Sequence, residues 1–202
     1  MGVFFYKGDL PKNIDLPDVI AVDTETMGLN LYRDRLCLVQ IGDGKGNAYL
    51  VQIVQGKEPK NLKKIMTNPK ILKLFQYARF DLAKMLHDLG IVCAPVYCTK
   101  IAHKLARPSA RSHGLKAICS ELLGVELEKE QQQSDWGVEE LSEEQMKYAA
   151  NDVLHLHALK EKLDALLVRE GRAELAQSCF DFLPTRAALD LQGFNEPDIF
   201  EH

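Results

Sequence analysis

The alternation of apolar and polar positions predicts an ordered series of strands and helices. Short apolar runs bounded by turn residues predict strands at 19–24, 35–42, 47–53, 71–76 and 96–98. Apolar residues at helical spacing predict helices at 60–67, 80–89, 99–106, 114–123 and from 142 onward. The first three strands indicate an antiparallel meander, and the later strands alternate with helices. This order predicts an α/β fold with a mixed central sheet, flanking helices and a helical C-terminal extension.

Two acidic residues, Asp23 and Glu25, separated by one position, stand at the end of the first predicted strand. Side chains at i and i+2 of a strand point to the same side, so both carboxylates would leave one face of the sheet. Two such charges repel each other unless a cation lies between them. Solvated acids in a turn remain the alternative for this motif alone.

The helix predicted from 142 onward carries a phenol and an acid on one face. Ser142 and Gln145 have the spacing of a capping box, which predicts that Ser142 is the N-cap. Tyr148 and Asp152 then lie within ~40° of each other around the helix and about 6 Å apart along it. An ordinary core-edge aromatic beside a surface acid explains this segment equally well.

A further acid, Asp81, falls in the first turn of the helix predicted at 80–89. The positive end of the helix dipole stabilises an acid there, so helix capping alone explains it. Its position between the other two acidic segments favours a functional role.

These segments together resemble the DEDD superfamily of 3′–5′ exonucleases, in the subclass that uses tyrosine. The matching motifs are Asp23-Thr24-Glu25, Arg79-Phe80-Asp81 and Tyr148-x-x-x-Asp152. The histidine subclass would place its base at position 147, which is a lysine in this chain. The resemblance implies a ribonuclease H-like fold and the catalytic residues Asp23, Glu25, Asp81, Tyr148 and Asp152.

Four gathered carboxylates suit the hydrolysis of a phosphodiester. Two divalent ions about 3.5–4 Å apart stabilise charge on both the attacking water and the leaving 3′ oxygen. Carboxylate oxygens are hard ligands suited to Mg²⁺ or Mn²⁺. The resemblance implies that Asp23 bridges both ions, that Glu25 and Asp152 hold the ion that activates water, and that Asp81 supports the second. Tyr148 would orient the water, because an unperturbed phenol titrates near pH 10.

Other segments resemble ribonuclease D and, over nearly the whole chain, the short-RNA exonucleases called nano-RNase C. Ribonuclease D shares the stretch 133–136, although we expect no appended helical RNA-binding domain. The second resemblance includes the segments 33–37, 98–102, 113–116 and 182–184. It implies a ring-like homo-oligomer, an octamer, that hydrolyses diribonucleotides to nucleoside 5′-monophosphates.

Seven residues are candidate substrate contacts: Leu29, Arg79, Arg111, His113, Lys116, Gln133 and Trp136. In related oligoribonucleases a leucine at the place of Leu29 wedges between the two bases, while burial in the core explains a leucine nearly as well. Guanidinium and ammonium groups suit phosphates, although single cations are more often solvated. Gln133 and Trp136 are candidates for contacts to ribose or base, although a lone Trp is usually in the core.

Composition narrows the choice of function. With 202 residues, 46% of them hydrophobic, the chain fits a single exonuclease domain over 1–202. A net charge of −4 disfavours a grip on long nucleic acid through many phosphates and favours a short substrate. Five cysteines without a C-x-x-C pair, and no export or membrane-spanning stretch, predict a cytoplasmic protein.

Three rival functions remain open from the sequence. They are a ribonuclease D-like exonuclease that processes longer RNA, a DNA-directed 3′–5′ exonuclease, and a non-catalytic nucleic-acid-binding module. The four carboxylates suit both kinds of nuclease, because a metal site does not itself read the 2′-hydroxyl. A module without activity would not need all five candidate catalytic residues.

Overall fold

The computed structural model describes residues 2–127 and 134–201, and it places a mixed six-stranded sheet between helices. The strands are β1 (Gly2–Lys7), β2 (Val19–Thr26), β3 (Leu36–Gly42), β4 (Asn47–Gln52), β5 (Leu72–Phe75) and β6 (Val96–Cys98). The helices are α1 (Lys60–Met66), α2 (Ala78–Leu89), α3 (Thr99–Ala106), α4 (Leu115–Leu123), α5 (Glu143–Leu154), α6 (Leu156–Arg169) and α7 (Ala173–Leu191). The predicted α/β architecture is confirmed.

Strand β2 lies inside the sheet, whose order is β1-β4-β3-β2-β5-β6. β2, β3 and β4 form the predicted antiparallel meander. β5 runs parallel to β2 on its other side, and β6 runs parallel to β5. The register of β2 and β3 shifts between Glu25 and Thr26, where β2 ends. The acids at the end of β2 therefore lie between neighbouring strands and not at the edge of the sheet.

Strand β1 was not predicted, and the structure shows why. It pairs in parallel with β4, from Gly2 opposite Asn47 to Lys7 opposite Gln52. Val3, Phe4 and Phe5 are all exposed, so the strand lacks the alternation of buried and exposed positions that marks a half-buried strand. A parallel edge strand whose partner is 45 positions away gives no local signal in the sequence.

The prediction of one continuous helix from 142 onward is wrong, because α5 ends at Leu154 and α6 begins at Leu156. The start of α5 is confirmed: the Ser142 hydroxyl accepts the Gln145 amide at 3.2 Å, and the Gln145 side chain accepts the Ser142 amide at 2.9 Å. Helix α5 packs tightly on β3. A Cβ at Gly42 would lie only 2.7 Å from the Val153 carbonyl oxygen.

The C-terminal extension is helical, but its apolar residues divide between core and surface. Phe180 and Leu183 of α7 are buried in the main core. Apolar side chains are exposed on α7 at Leu175 and Phe182, and after the helix at Phe194, Ile199 and Phe200.

All five cysteines are free thiols, and four of them are buried. No helix in 2–127 or 134–201 combines the length and the apolarity needed to cross a bilayer. The cytoplasmic location stays a prediction.

Candidate active site

One cavity of about 1000 Å³ is lined by all five candidate catalytic residues. β2 supplies Asp23 and Glu25, the first turn of α2 supplies Asp81, and α5 supplies Tyr148 and Asp152. The fold thus brings three segments together that are separated by more than fifty residues in the chain.

Three carboxylates form a tight cluster within this cavity. Asp23, Glu25 and Asp152 each offer an oxygen that lies within 4.8 Å of the oxygens of the other two. Asp81 stands beside this cluster, 4% exposed, and its carboxylate accepts the Thr24 hydroxyl at 2.5 Å. Thr24 therefore fixes α2 to β2 at the site, although the sequence patterns gave it no role. The arrangement suits a centre in which three acids hold cations and the fourth supports them.

The acids of the site are held at raised pKa values. Burial raises the pKa of Asp23 to about 7, and burial together with the charge of Asp23 raises that of Asp152 to about 8. Burial and repulsion from Asp23, Asp152 and Asp81 raise the pKa of Glu25 to about 10. The pKa of Asp81 is also well above its ordinary value, chiefly through burial. Without cations the cluster therefore retains protons at neutral pH.

Tyr148 lies beside this cluster as a neutral phenol. Burial, and then the charges of Asp152 and Glu25, raise the pKa of Tyr148 above its ordinary value. Its ring packs 6.2 Å from the ring of Trp136, measured between centroids. A protonated phenol orients a water through hydrogen bonds and does not act as a strong base.

Trp136 is mainly a core residue. Its side chain is 3% exposed and belongs to a small cluster of buried side chains with Cys37, Leu38, Leu50 and Ala149. It also lines the cavity, and its indole Nε1 is buried without a hydrogen-bond partner among the described residues. Its position beside Tyr148 gives it a direct part in holding that ring.

Two of the seven candidate substrate contacts lie openly at the cavity. Leu29 is 84% exposed and lines the cavity wall, so the alternative of a buried core leucine is wrong. Lys116, near the start of α4, is also exposed there. Gln133 lies outside the described residues.

The other three candidates are not among the residues that line the main cavity. Arg79 forms a bidentate ion pair with Asp190 of α7, at 2.6 and 2.8 Å. Arg111 lines a smaller neighbouring cavity of about 300 Å³. The Nδ1 atom of His113 lies 2.7 Å from Nδ1 of His103. Phosphate binding by Arg79, Arg111 and His113 stays a prediction, and Arg79 already donates from Nε and Nη2 to Asp190.

Sequence reasoning missed Lys100 and Tyr77, which both line the cavity. The Lys100 ammonium lies 4.1 Å from the centroid of the Tyr77 ring. Lys100 belongs to the segment 98–102 that resembles nano-RNase C, so a signal was present in the sequence. Lys100 is half-buried and Lys116 is exposed, and both line the cavity that holds the four acids. Their ammonium groups offer positive charge to a phosphate.

Comparisons with known proteins agree with this geometry. A family profile described as 3′–5′ exonuclease matches residues 9–167. The Brucella melitensis NrnC bound to pGG is 50% identical, with coverage of 100% of this chain and 99% of that chain and a TM-score of 0.95. The same protein with bound Mg²⁺ is 50% identical, with coverage of 100% of both chains and a TM-score of 0.94.

A curated relative is the ribonuclease D of Acidiphilium cryptum. It is 34% identical over 155 residues, which are 77% of this chain and 39% of that protein. The chain therefore spans about two fifths of the length of this relative. The similarities confirm the ribonuclease H-like fold and the resemblance to ribonuclease D and nano-RNase C. Because the family profile includes all three acidic motifs, the chain belongs to the 3′–5′ exonuclease family.

Proposed function

We propose that this protein is a metal-dependent 3′–5′ exoribonuclease that hydrolyses short RNA, above all diribonucleotides, to nucleoside 5′-monophosphates. The observation that carries the proposal is the cluster of Asp23, Glu25 and Asp152 in one cavity with Asp81 beside it. The similarity over full length to a Brucella melitensis NrnC bound to pGG supports the dinucleotide as substrate.

The cluster fits two divalent cations, Mg²⁺ or Mn²⁺. Its ligands are hard carboxylate oxygens, and bound cations would stabilise their ionised form and so displace the protons that they retain without metal. Asp23, Glu25 and Asp152 would hold the ions, and Asp81 would support them. Bound ions supply Lewis-acid stabilisation of the attacking water and of the leaving 3′ oxygen. The Mg²⁺-bound NrnC supports this assignment.

The remaining residues of the cavity would position water and substrate. Tyr148 hydrogen-bonds the attacking water and keeps its own proton, since its pKa is raised. Leu29 presents an exposed apolar side chain to the bases. Lys100 and Lys116 offer ammonium groups to phosphate oxygens.

The alternative is ribonuclease D-like processing of longer RNA, which the ribonuclease D relatives favour. A DNA-directed exonuclease would use the same carboxylates. The substrate range therefore decides among these functions.

We also propose that the protein forms a homo-oligomer, an octamer by the resemblance to nano-RNase C. The support is the apolar surface at Phe194, Ile199 and Phe200, of which Phe200 is 72% exposed. Contact with a second copy would remove this surface from water.

Substrate length is the first test. With Mg²⁺ present, we expect faster hydrolysis of a diribonucleotide than of an RNA seven-mer or a tRNA, because the cavity is small and the net charge is negative. The corresponding deoxynucleotides are the matched comparison for the sugar. Rates are measured by chromatography of released nucleoside 5′-monophosphate. Equal rates on all lengths would refute the specialisation for short RNA.

Substitutions separate the roles of Asp152 and Tyr148. Asp152→Asn should lower kcat by at least about a hundredfold, because it removes a metal ligand. Tyr148→Phe should lower kcat by roughly a hundredfold while leaving Mg²⁺ affinity unchanged, because it removes only the hydroxyl that orients water. Steady-state kinetics and calorimetric titration with Mg²⁺ measure the two effects. Tyr49→Phe on β4 is the control, and full activity of Tyr148→Phe would exclude the hydroxyl from the reaction.

Stability should depend on pH in opposite ways with and without metal. The folded pKa values of Asp23 and Asp152 are raised, so the metal-free protein loses stability as the pH rises through about 7 and about 8. We expect the Tm of the metal-free protein to fall between about pH 5.5 and about pH 8.5, and Mg²⁺ to raise it more at the higher pH.

Thermal unfolding measures this dependence, and the control is Asp152→Asn, which cannot lose a proton at position 152. Its Tm should vary less with pH, and Mg²⁺ should stabilise it less. An equal effect of Mg²⁺ on the wild-type protein at both pH values contradicts the proposed cation site.

The oligomer is tested by sedimentation at micromolar concentration. The wild-type protein should sediment as a species several times larger than its 22.8 kDa chain. Phe200→Ser should weaken the assembly, whereas Val92→Ser, which changes an exposed valine outside the C-terminal segment, should not. A wild-type monomer would exclude the oligomer.

A further inference from the structure

The loop that carries Leu29 is anchored at its base by a buried lysine. Lys84 of α2 is fully buried, and its ammonium donates to the Leu31 carbonyl at 2.9 Å and to the Asp88 carboxylate at 3.1 Å. Asp88 in turn accepts the Leu36 amide, where the loop enters β3. The loop, residues 27–35, is thus tied to the helix that carries Asp81.

A second anchor holds the outer side of this loop. The Tyr32 hydroxyl donates to the Leu191 carbonyl at 3.0 Å, and the Asp190 carbonyl lies 3.4 Å from it. Both acceptors are at the end of α7. The Tyr32 ring is 58% exposed and contacts His87 edge-on, with 5.6 Å between ring centroids. The hydroxyl therefore connects this exposed ring to α7.

The same end of α7 also forms an ion pair with α2 close to the acids. Asp190 is 3% exposed, and its carboxylate accepts both Arg79 and Arg186. Arg79 stands two residues before Asp81 on α2. The end of α7 thus contacts the loop with Leu29 on one side and the helix with Asp81 on the other. Helix α7 lies beyond residue 167, where the match to the family profile ends, so the shared domain does not include this contact.

We infer that Tyr32 is a positioning residue for the substrate: its hydrogen bond to the end of α7 fixes the loop 27–35 so that Leu29 stands where it meets the bases. The inference rests on the proposed hydrolysis of dinucleotides. Loss of this bond loosens the outer side of the loop, while Lys84 still holds its base and the carboxylates and Tyr148 stay in place. It therefore weakens the binding of substrate and spares the chemical step.

The test is Tyr32→Phe, which removes the hydroxyl and keeps the ring on His87. We expect KM for a diribonucleotide to rise about threefold to tenfold, the range for one lost hydrogen bond, with kcat within about twofold of wild type. Trypsin should also cleave the metal-free variant faster after the exposed Arg33, because the loop opens more often. Tyr6→Phe on β1, outside the cavity lining, is the matched control and should change neither quantity.

A double-mutant comparison shows whether Tyr32 acts through Leu29. In a Leu29→Ala background, Tyr32→Phe should raise KM no further, because the side chain that the loop positions is already gone. Multiplied effects of the two substitutions would overturn the inference, as would an unchanged KM in Tyr32→Phe alone. If the wild-type protein does not hydrolyse dinucleotides, the proposed function fails, whereas a failure confined to Tyr32→Phe leaves that function standing.

Discussion

The site depends on the burial of carboxylates that the fold forces together, and on the repulsion that most of them add to the cost of burial. β2 ends inside the sheet, and α5 brings Asp152 against the two acids at that end. With its pKa raised from 3.8 to about 7, ionised Asp23 costs the metal-free fold on the order of 4 kcal/mol at high pH. The rest of the molecule must supply this energy, and cation binding recovers it. Affinity for divalent ions is thus a direct product of folding.

The sequence predicted the parts of this arrangement that have local signals. The apolar run that opens β2 and the capping box at Ser142 locate the two elements that carry most of the acids. The spacing of Tyr148 and Asp152 follows from a regular helix. The order of the three motifs, and not any one motif, indicated the exonuclease family.

Contacts between distant segments could not be predicted from the sequence, because no local pattern encodes them. Tyr32 is an exposed aromatic in a loop, and its partners lie at the end of α7. Arg79 reads as a free cation until Asp190, more than a hundred positions later, is placed against it. Strand β1 lacked a pattern altogether, since both of its faces are largely exposed.

The close approach of β3 to α5 limits which residue position 42 can carry. At Gly42 the backbone of the strand passes so near to the Val153 carbonyl that no side chain fits between them. The neighbouring residue of the helix is Asp152. Any side chain at position 42 would therefore push against the helix that carries Asp152, even though glycine has no functional group. The absence of a side chain at position 42 thus helps to set where Asp152 lies.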